Sequence, residues 1–102
     1  MHFVYVIYSR SVDRYYIGET VDIVERLIQH RMHHYVGSFT SIADDWEVAF
    51  SLRFKDRESA LKAEKHLKKS KSKVYLKRLQ HEEEAMLKLI EILAVKYLIK
   101  VI

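Results

Sequence analysis

Two tyrosines near the start of the chain have a spacing that brings them together on one face of a hairpin. The segments "FVYVIYS" and "RYYIGE" are rich in aromatic and β-branched residues, so both predict strands around a polar turn. With an even-numbered loop from Ser9 to Arg14, Tyr5 pairs with Gly18 and shares a face with Tyr16. A glycine opposite Tyr5 removes a side chain, as close approach of a ligand requires. An aromatic cluster with a glycine bulge explains the same residues.

A basic pair follows on a predicted helix. The run "TVDIVERLIQHRMHH" predicts a helix with Thr20 as its N-cap. Arg26 and His30 are four residues apart, so they share a face at the edge of the apolar stripe. A guanidinium beside an imidazole suits one phosphate, although ordinary surface residues have the same pattern. We reject a metal site at His33 and His34, because no thiolate or acidic residue is near them in the sequence. The apolar stripe is formed by positions 21, 23, 24, 27 and 28.

A single glutamate has an unusual position on a later helix. The apolar residues of that helix are Ala60, Leu61, Ala63 and Leu67, and helical geometry puts Glu64 in the middle of their face. Burial of a carboxylate costs several kcal/mol, so we expect a partner in the form of a salt bridge, a hydrogen-bond network or a metal ion. A hard cation such as Mg²⁺, shared between one carboxylate and a phosphate, fits a lone glutamate.

These residues must be positioned by a small mixed fold. The run "HFVYVIYS" predicts a buried strand from His2 to Ser9, and "WEVAFSLRF" predicts a third strand from Trp46 to Phe54. Asp56 is a suitable cap for a helix that ends near Lys69, and "VYLKRLQ" begins another helix. The order β-β-α-β-α-α indicates an α+β fold, in which helices pack on a small antiparallel sheet.

Length, composition and charge narrow the possible functions. A chain of 102 residues forms one core, and the absence of cysteine excludes disulfides and zinc–thiolate sites. Because no signal peptide precedes the first strand, we expect a cytoplasmic protein. The segment from Arg53 to Gln80 has eleven Lys or Arg and three acids, whereas the rest of the chain carries a net charge of −4. A basic surface of this kind favours nucleic acid, although a solvated helix face is equally basic.

The end of the chain has a different character. From Glu82 to Ile102 a helix is predicted, in which fourteen of twenty-one residues are apolar. Its longest uncharged run is four residues, so it does not predict a membrane span. The apolar surface of this helix is larger than the area that one helix face buries against a small sheet. We therefore expect a homodimer through this helix, with complete burial inside its own domain as the alternative.

The ordered motifs resemble the GIY-YIG nuclease superfamily. "FVY" at 3–5, "YIG" at 16–18, "ERLIQH" and "EKHLKK" follow each other as in short standalone bacterial members, which are related to the N-terminal domain of the excision-repair endonuclease. The resemblance covers about residues 2–79, so we expect a nuclease domain over 1–80 and a helical extension over 81–102. It implies a three-stranded antiparallel sheet flanked by helices.

The resemblance also implies roles for individual residues. It makes Tyr5, Tyr16, Arg26 and His30 catalytic, and Glu64 both catalytic and the ligand of a single Mg²⁺ or Mn²⁺ ion. By this likeness a tyrosine, Tyr5, helps to deprotonate the attacking water, and Tyr16 and His30 position water and phosphate. A phenol ordinarily titrates near ~10, so nearby cations must favour its phenolate form. The residues expected to contact DNA are Gly18, Lys65, Lys68, Lys69, Lys71 and Lys73.

Departures from the family pattern leave these residues in place. Phe3 and Val4 replace the first glycine and isoleucine, Arg31 replaces an asparagine, and "FTS" at 39–41 replaces "YTS". The function expected is metal-dependent hydrolysis of DNA. Two alternatives stay open: a nucleic-acid-binding domain with little or no cleavage in isolation, and an interaction module that acts through the last helix.

Overall fold

The computed structural model describes residues 1–32, 39–70 and 72–102. It has the α+β fold that the sequence predicts, with a three-stranded antiparallel sheet and four helices. The strands are β1 (His2–Ser9), β2 (Arg14–Thr20) and β3 (Glu47–Phe54); the helices are α1 (Ile23–Arg31), α2 (Arg57–Ser70), α3 (Lys73–His81) and α4 (Glu83–Lys96). A short 3₁₀ helix, Phe39–Ile42, lies between α1 and β3.

The register of the first hairpin is the predicted one. Tyr5 pairs with Gly18 and Ile7 pairs with Tyr16, so a four-residue loop separates Ser9 from Arg14. Asp13, at the end of that loop, has φ 52°, a left-handed conformation that aspartate tolerates better than most residues. The two tyrosines therefore project from the same face of the sheet.

The sheet has the order β2-β1-β3 and separates two unequal cores. On one face, Val4 and Val6 of β1 pack with the buried residues of α2, α3 and α4. On the other face, Tyr5 and Ile7 pack with Trp46 and with residues of α1. Alternation along β1 thus assigns Tyr5 to the smaller core, beneath α1.

Aspartates set the starts of α1 and α2. Asp22, not Thr20, is the N-cap of α1, and its side chain accepts a hydrogen bond from the Glu25 amide. The Thr20 hydroxyl instead accepts a hydrogen bond from the amide of Asp22, the residue just before the helix. The predicted cap on α2 is confirmed, because Asp56 accepts a hydrogen bond from the Ser59 amide at 2.8 Å.

The last helix is shorter than the sequence predicts. It ends at Lys96, because Leu98 adopts φ 57° and the Ile99 amide turns back to the Leu93 carbonyl. The tail then reaches β3, where the Ile102 amide donates to the Arg53 carbonyl. The apolar residues of this region that join the larger core are Ala85, Leu89, Leu93 and Ile99. None of the helices in the described part of the chain is long and apolar enough to cross a bilayer.

Candidate active site

A buried hydrogen bond joins the hairpin to α1. The Tyr5 hydroxyl lies 2.8 Å from Nε2 of His30, and the two rings are 5.8 Å apart. Tyr16 approaches the same imidazole, with ring centroids 5.0 Å apart, and lies 6.3 Å from the Tyr5 ring. The structure thus brings together three of the residues expected to act in catalysis, although they are up to 25 positions apart in the sequence.

The 3₁₀ helix fixes the other side of the imidazole. Nδ1 of His30 lies 2.8 Å from the Thr40 hydroxyl, so both ring nitrogens have hydrogen-bonding partners. The Trp46 indole N–H donates to the Thr40 carbonyl at 2.9 Å and anchors this turn. Arg31 of α1 in turn donates to the Trp46 carbonyl at 2.7 Å. Thr40 and Trp46 therefore hold His30 in one orientation.

His30 is buried, not marginal as the helix pattern suggested. Only 2% of its surface is exposed, because the inward face of α1 is formed by Ile23, Leu27 and His30, while Val24 and Ile28 point to solvent. Burial lowers the pKa of His30 to about 4, and the positive charge of Arg26 adds to the shift. The imidazole is therefore neutral at neutral pH, with one N–H donor and one acceptor nitrogen.

This burial predicts a loss of stability in mild acid. Between pH 6.5 and 4 the unfolded chain protonates His30 and the folded chain does not, so the free energy of unfolding falls as the pH drops. The expected loss is up to about 3 kcal/mol for this group. Urea titrations at pH 7 and pH 4.5 measure it, with His30→Gln expected to show a smaller pH dependence. The exposed His81→Gln serves as control, and equal pH dependence in all three proteins would contradict the prediction.

The two tyrosines differ in their access to solvent. Tyr5 is 1% exposed, and its hydroxyl is held against His30. Tyr16 is half-buried, and its hydroxyl forms no hydrogen bond with the described residues. Its ring lies nearly parallel to Phe39, with centroids 6.3 Å apart, and lines a groove along β2. Tyr16 is thus the phenol that faces the groove.

Gly18 makes room for the Tyr5 ring. A Cβ at position 18 would lie 2.5 Å from the Tyr5 hydroxyl oxygen and 2.6 Å from the ring carbon that bears it. No side chain fits there unless Tyr5 moves. The sequence suggested that the missing side chain admits a ligand, whereas in the structure the space is filled by the ring of its strand partner.

Glu64 lies on the margin of the buried face of α2, not in its middle. That face is centred on Ala60, Ala63 and Leu67, because Leu61 is turned towards solvent. The Glu64 side chain is 17% exposed, and one carboxylate oxygen lies 3.3 Å from Nζ of Lys68. The expected partner therefore exists and is a lysine one turn further along the helix.

The basic residues expected to contact DNA lie in different places. Lys68 and Lys73 line the groove beside Tyr16. Lys69 lies in a separate depression between α2 and α4, and Lys65 is exposed elsewhere on α2. The remaining residues of interest lie outside the described part of the chain, namely Lys71 among the expected contacts and the histidines His33 and His34.

Three contributors to this site were not identified from the sequence. Phe39, Thr40 and Trp46 belong to a loop and a strand entry, where periodicity carries no signal. The "FTS" motif was noted only as a departure from a family pattern. Thr40, ten residues after His30, is the residue of this motif that could have been identified. Its hydroxyl is the second polar partner that a buried imidazole needs.

The chain was compared with models of known families, with curated proteins and with solved structures. A model of the GIY-YIG catalytic domain matches residues 1–80. No curated protein and no solved structure matches the chain.

Proposed function

Because the chain belongs to the GIY-YIG family of catalytic domains, we propose that it is a divalent-metal-dependent endonuclease that hydrolyses phosphodiester bonds in DNA. Membership itself implies nuclease activity in general. The observation that best supports the proposal is the cluster of Tyr5, Tyr16 and His30, which lies beside Arg26 and opens on a groove with lysines at its rim. Neutral hydroxyls and an imidazole next to fixed positive charge suit a reaction at a phosphate.

A divalent ion fits the chemistry of Glu64. The described residues contain no group of three or more His, Cys, Asp or Glu that would form a protein cage for a metal. Mg²⁺ is usually held by one or two carboxylates together with waters and substrate phosphates, so a lone carboxylate is a suitable ligand. Lys68 already places a positive charge 3.3 Å from this carboxylate. When bound at Glu64, Mg²⁺ or Mn²⁺ would supply Lewis-acid stabilisation of negative charge on the phosphate.

The cluster suggests separate roles for the two tyrosines. The family resemblance implies that Tyr5 helps to deprotonate the attacking water, but its hydroxyl is covered and bonded to His30. We assign the contact with the attacking water to Tyr16, which is half-buried and lines the groove. Tyr5 then acts as a positioning residue, which with Thr40 holds His30 in place.

Arg26 supplies the fixed charge at the phosphate. It lies one turn before His30 on α1, close enough to lower the pKa of that imidazole. A guanidinium presents paired donors to phosphate oxygens and stays charged throughout the reaction. Lys68 and Lys73 at the groove add contacts to the backbone, so we expect DNA affinity to fall steeply with salt.

The general test is cleavage of plasmid and branched DNA. We expect nicking with Mg²⁺ or Mn²⁺ and none in EDTA. Salt-sensitive binding without cleavage under either ion would support the alternative of a binding domain. Absence of both binding and cleavage would favour an interaction module acting through α4.

Replacement of Arg26 tests its role in catalysis. Arg26→Ala is expected to lower kcat/KM by about 10² to 10³, because stabilisation of developing charge contributes about 3 kcal/mol or more. DNA affinity, measured by fluorescence anisotropy in EDTA, should change only a few-fold, since one phosphate contact among several is lost. Arg10→Ala, an exposed arginine in the hairpin loop, is the control. Equal losses of binding and cleavage would make Arg26 a docking residue.

Self-association through α4 also stays a prediction. Leu87, Val95 and Leu98 are exposed, and Leu98 is 89% exposed. Light scattering at micromolar concentration is expected to give the mass of a dimer, which the double substitution Val95→Lys and Leu98→Lys should convert to a monomer. Leu93 is unsuitable for this test because it is buried in the core. A monomeric wild-type protein would end the proposal.

A further inference from the structure

A groove lies beside Tyr16 at the edge of the sheet. It has a volume of about 400 Å³ and runs along the edge strand β2, between the 3₁₀ helix and the start of α3. Much of its lining is apolar and includes Tyr16, Phe39, Leu67 and Leu76. Ligand pockets of this size hold single small molecules, so a base with its sugar fits here and a duplex does not.

An exposed aromatic ring is presented in this groove. Phe39 is 50% exposed, and its plane is tilted by 21° from that of Tyr16. The turn that carries it is anchored at the next residue, where the Trp46 indole and His30 both contact Thr40. Since the turn that carries the ring is anchored through Thr40 and the ring lies against Tyr16, stacking on it costs less ordering entropy than stacking on an unanchored segment. Every nucleobase has an apolar face that stacks on such a ring.

The groove is lined by three basic residues, Arg14, Lys68 and Lys73, and by one acidic residue, Asp13. Lys68 lies beside the apolar wall, and Lys73 lies at the N-terminus of α3, where Ser72 is the cap. Lys73 is paired with Asp13 at 2.6 Å, and Lys68 is paired with Glu64 at 3.3 Å. The sugar–phosphate of a bound nucleotide would lie against these ammonium groups and the positive end of the helix.

We propose that the groove binds one unpaired nucleotide of the DNA, with its base stacked on Phe39. This inference rests on the proposed function and names the substrate class: DNA with an unpaired base next to the cleaved bond. Tyr16 belongs both to the groove wall and to the catalytic cluster, so a base held in the groove lies beside the reacting phosphate. A fully paired duplex cannot place a base there without breaking a pair.

The test uses DNA that carries 2-aminopurine, a base whose fluorescence is quenched by stacking. One duplex has it in a single-nucleotide bulge, and a matched duplex has it fully paired. Binding is measured in EDTA, where no cleavage occurs. We expect the wild-type protein to quench the bulged probe and to bind that duplex about 10-fold more tightly than the paired one. Phe39→Ala and Phe39→Leu should remove both effects, and Phe39→Tyr should keep them.

Ile42→Ala is the control, because Ile42 lies in the same 3₁₀ helix with equal exposure and outside the groove. Equal affinity for the two duplexes with no quenching overturns the inference, whether or not the protein cleaves DNA. Quenching that survives Phe39→Leu overturns it as well, because stacking then occurs elsewhere. Quenching lost with Phe39 supports the inference even if no divalent ion gives cleavage, an outcome that would overturn the proposed nuclease activity alone.

Discussion

Glu64→Gln is expected to lower metal-dependent cleavage by at least about a thousandfold while DNA binding in EDTA changes little. Glutamine keeps the size of the side chain and removes the negative charge on which a hard cation depends. A metal ion that stabilises charge on the phosphate contributes several kcal/mol, and each 1.36 kcal/mol corresponds to about tenfold in rate. The measurement is single-turnover cleavage of a labelled substrate across a series of Mg²⁺ and Mn²⁺ concentrations.

The same helix offers a matched control for Glu64. Glu58 is also paired with a lysine four residues later, and it is largely exposed. Glu58→Gln removes the same charge and the same kind of ion pair, so it should leave cleavage unchanged. Glu58→Gln should change the free energy of unfolding by no more than about 0.5 kcal/mol, because exposed pairs contribute little. Glu64→Gln should leave it unchanged or raise it, because the substitution removes a mostly buried charge. Full activity of the Glu64→Gln variant would contradict the proposal that Glu64 is the metal ligand.

Tyr16→Phe is expected to lower kcat by about 10² to 10⁴ with no change in stability. The substitution removes only a hydroxyl that forms no hydrogen bond with the described residues, and that hydroxyl is the proposed contact with the attacking water. Tyr5→Phe should act differently. It removes the hydrogen bond to the buried His30, so we expect a loss of about 1–3 kcal/mol in the free energy of unfolding.

Cleavage and urea unfolding measured together separate the two tyrosines. Tyr8→Phe is the control, because Tyr8 lies on the same strand and its hydroxyl donates only to the exposed Asp13. If Tyr5→Phe abolishes cleavage at unchanged stability while Tyr16→Phe remains active, Tyr5 is the residue that activates water. The assignment drawn from the structure would then be wrong, and the one implied by the family resemblance would hold.

Local rules were sufficient to predict the hairpin. Side chains alternate along a strand with a period of two. Once the loop between Ser9 and Arg14 is taken to have an even number of residues, the pairing of β1 with β2 follows, including the pair Tyr5–Gly18. The N-cap of α2 could also be predicted from nearby residues, because the Asp56 side chain accepts a hydrogen bond from the Ser59 amide three residues later. These features depend on neighbours in the sequence or across one turn.

The burial of individual side chains could not be predicted from such local rules. The His30 side chain is buried because the 3₁₀ helix packs over it, and Trp46 holds that turn in place. Glu64 was placed too centrally, because Leu61 points to solvent in the structure. The end of α4 at Lys96 could not be predicted from a glycine, because the residue in the left-handed conformation after the helix is Leu98.

The close contact between Gly18 and Tyr5 has a consequence for how related sequences diverge. Because a methyl group at position 18 would overlap the Tyr5 ring, the two positions form one packing unit across the strand pair. A lineage that loses the Tyr5 ring loses this steric reason for a glycine at position 18. Glycine should therefore disappear from relatives only after, or together with, the tyrosine opposite it. A chain with a larger residue at position 18 and an intact tyrosine at position 5 would have to move that ring away from His30 or pair its strands differently.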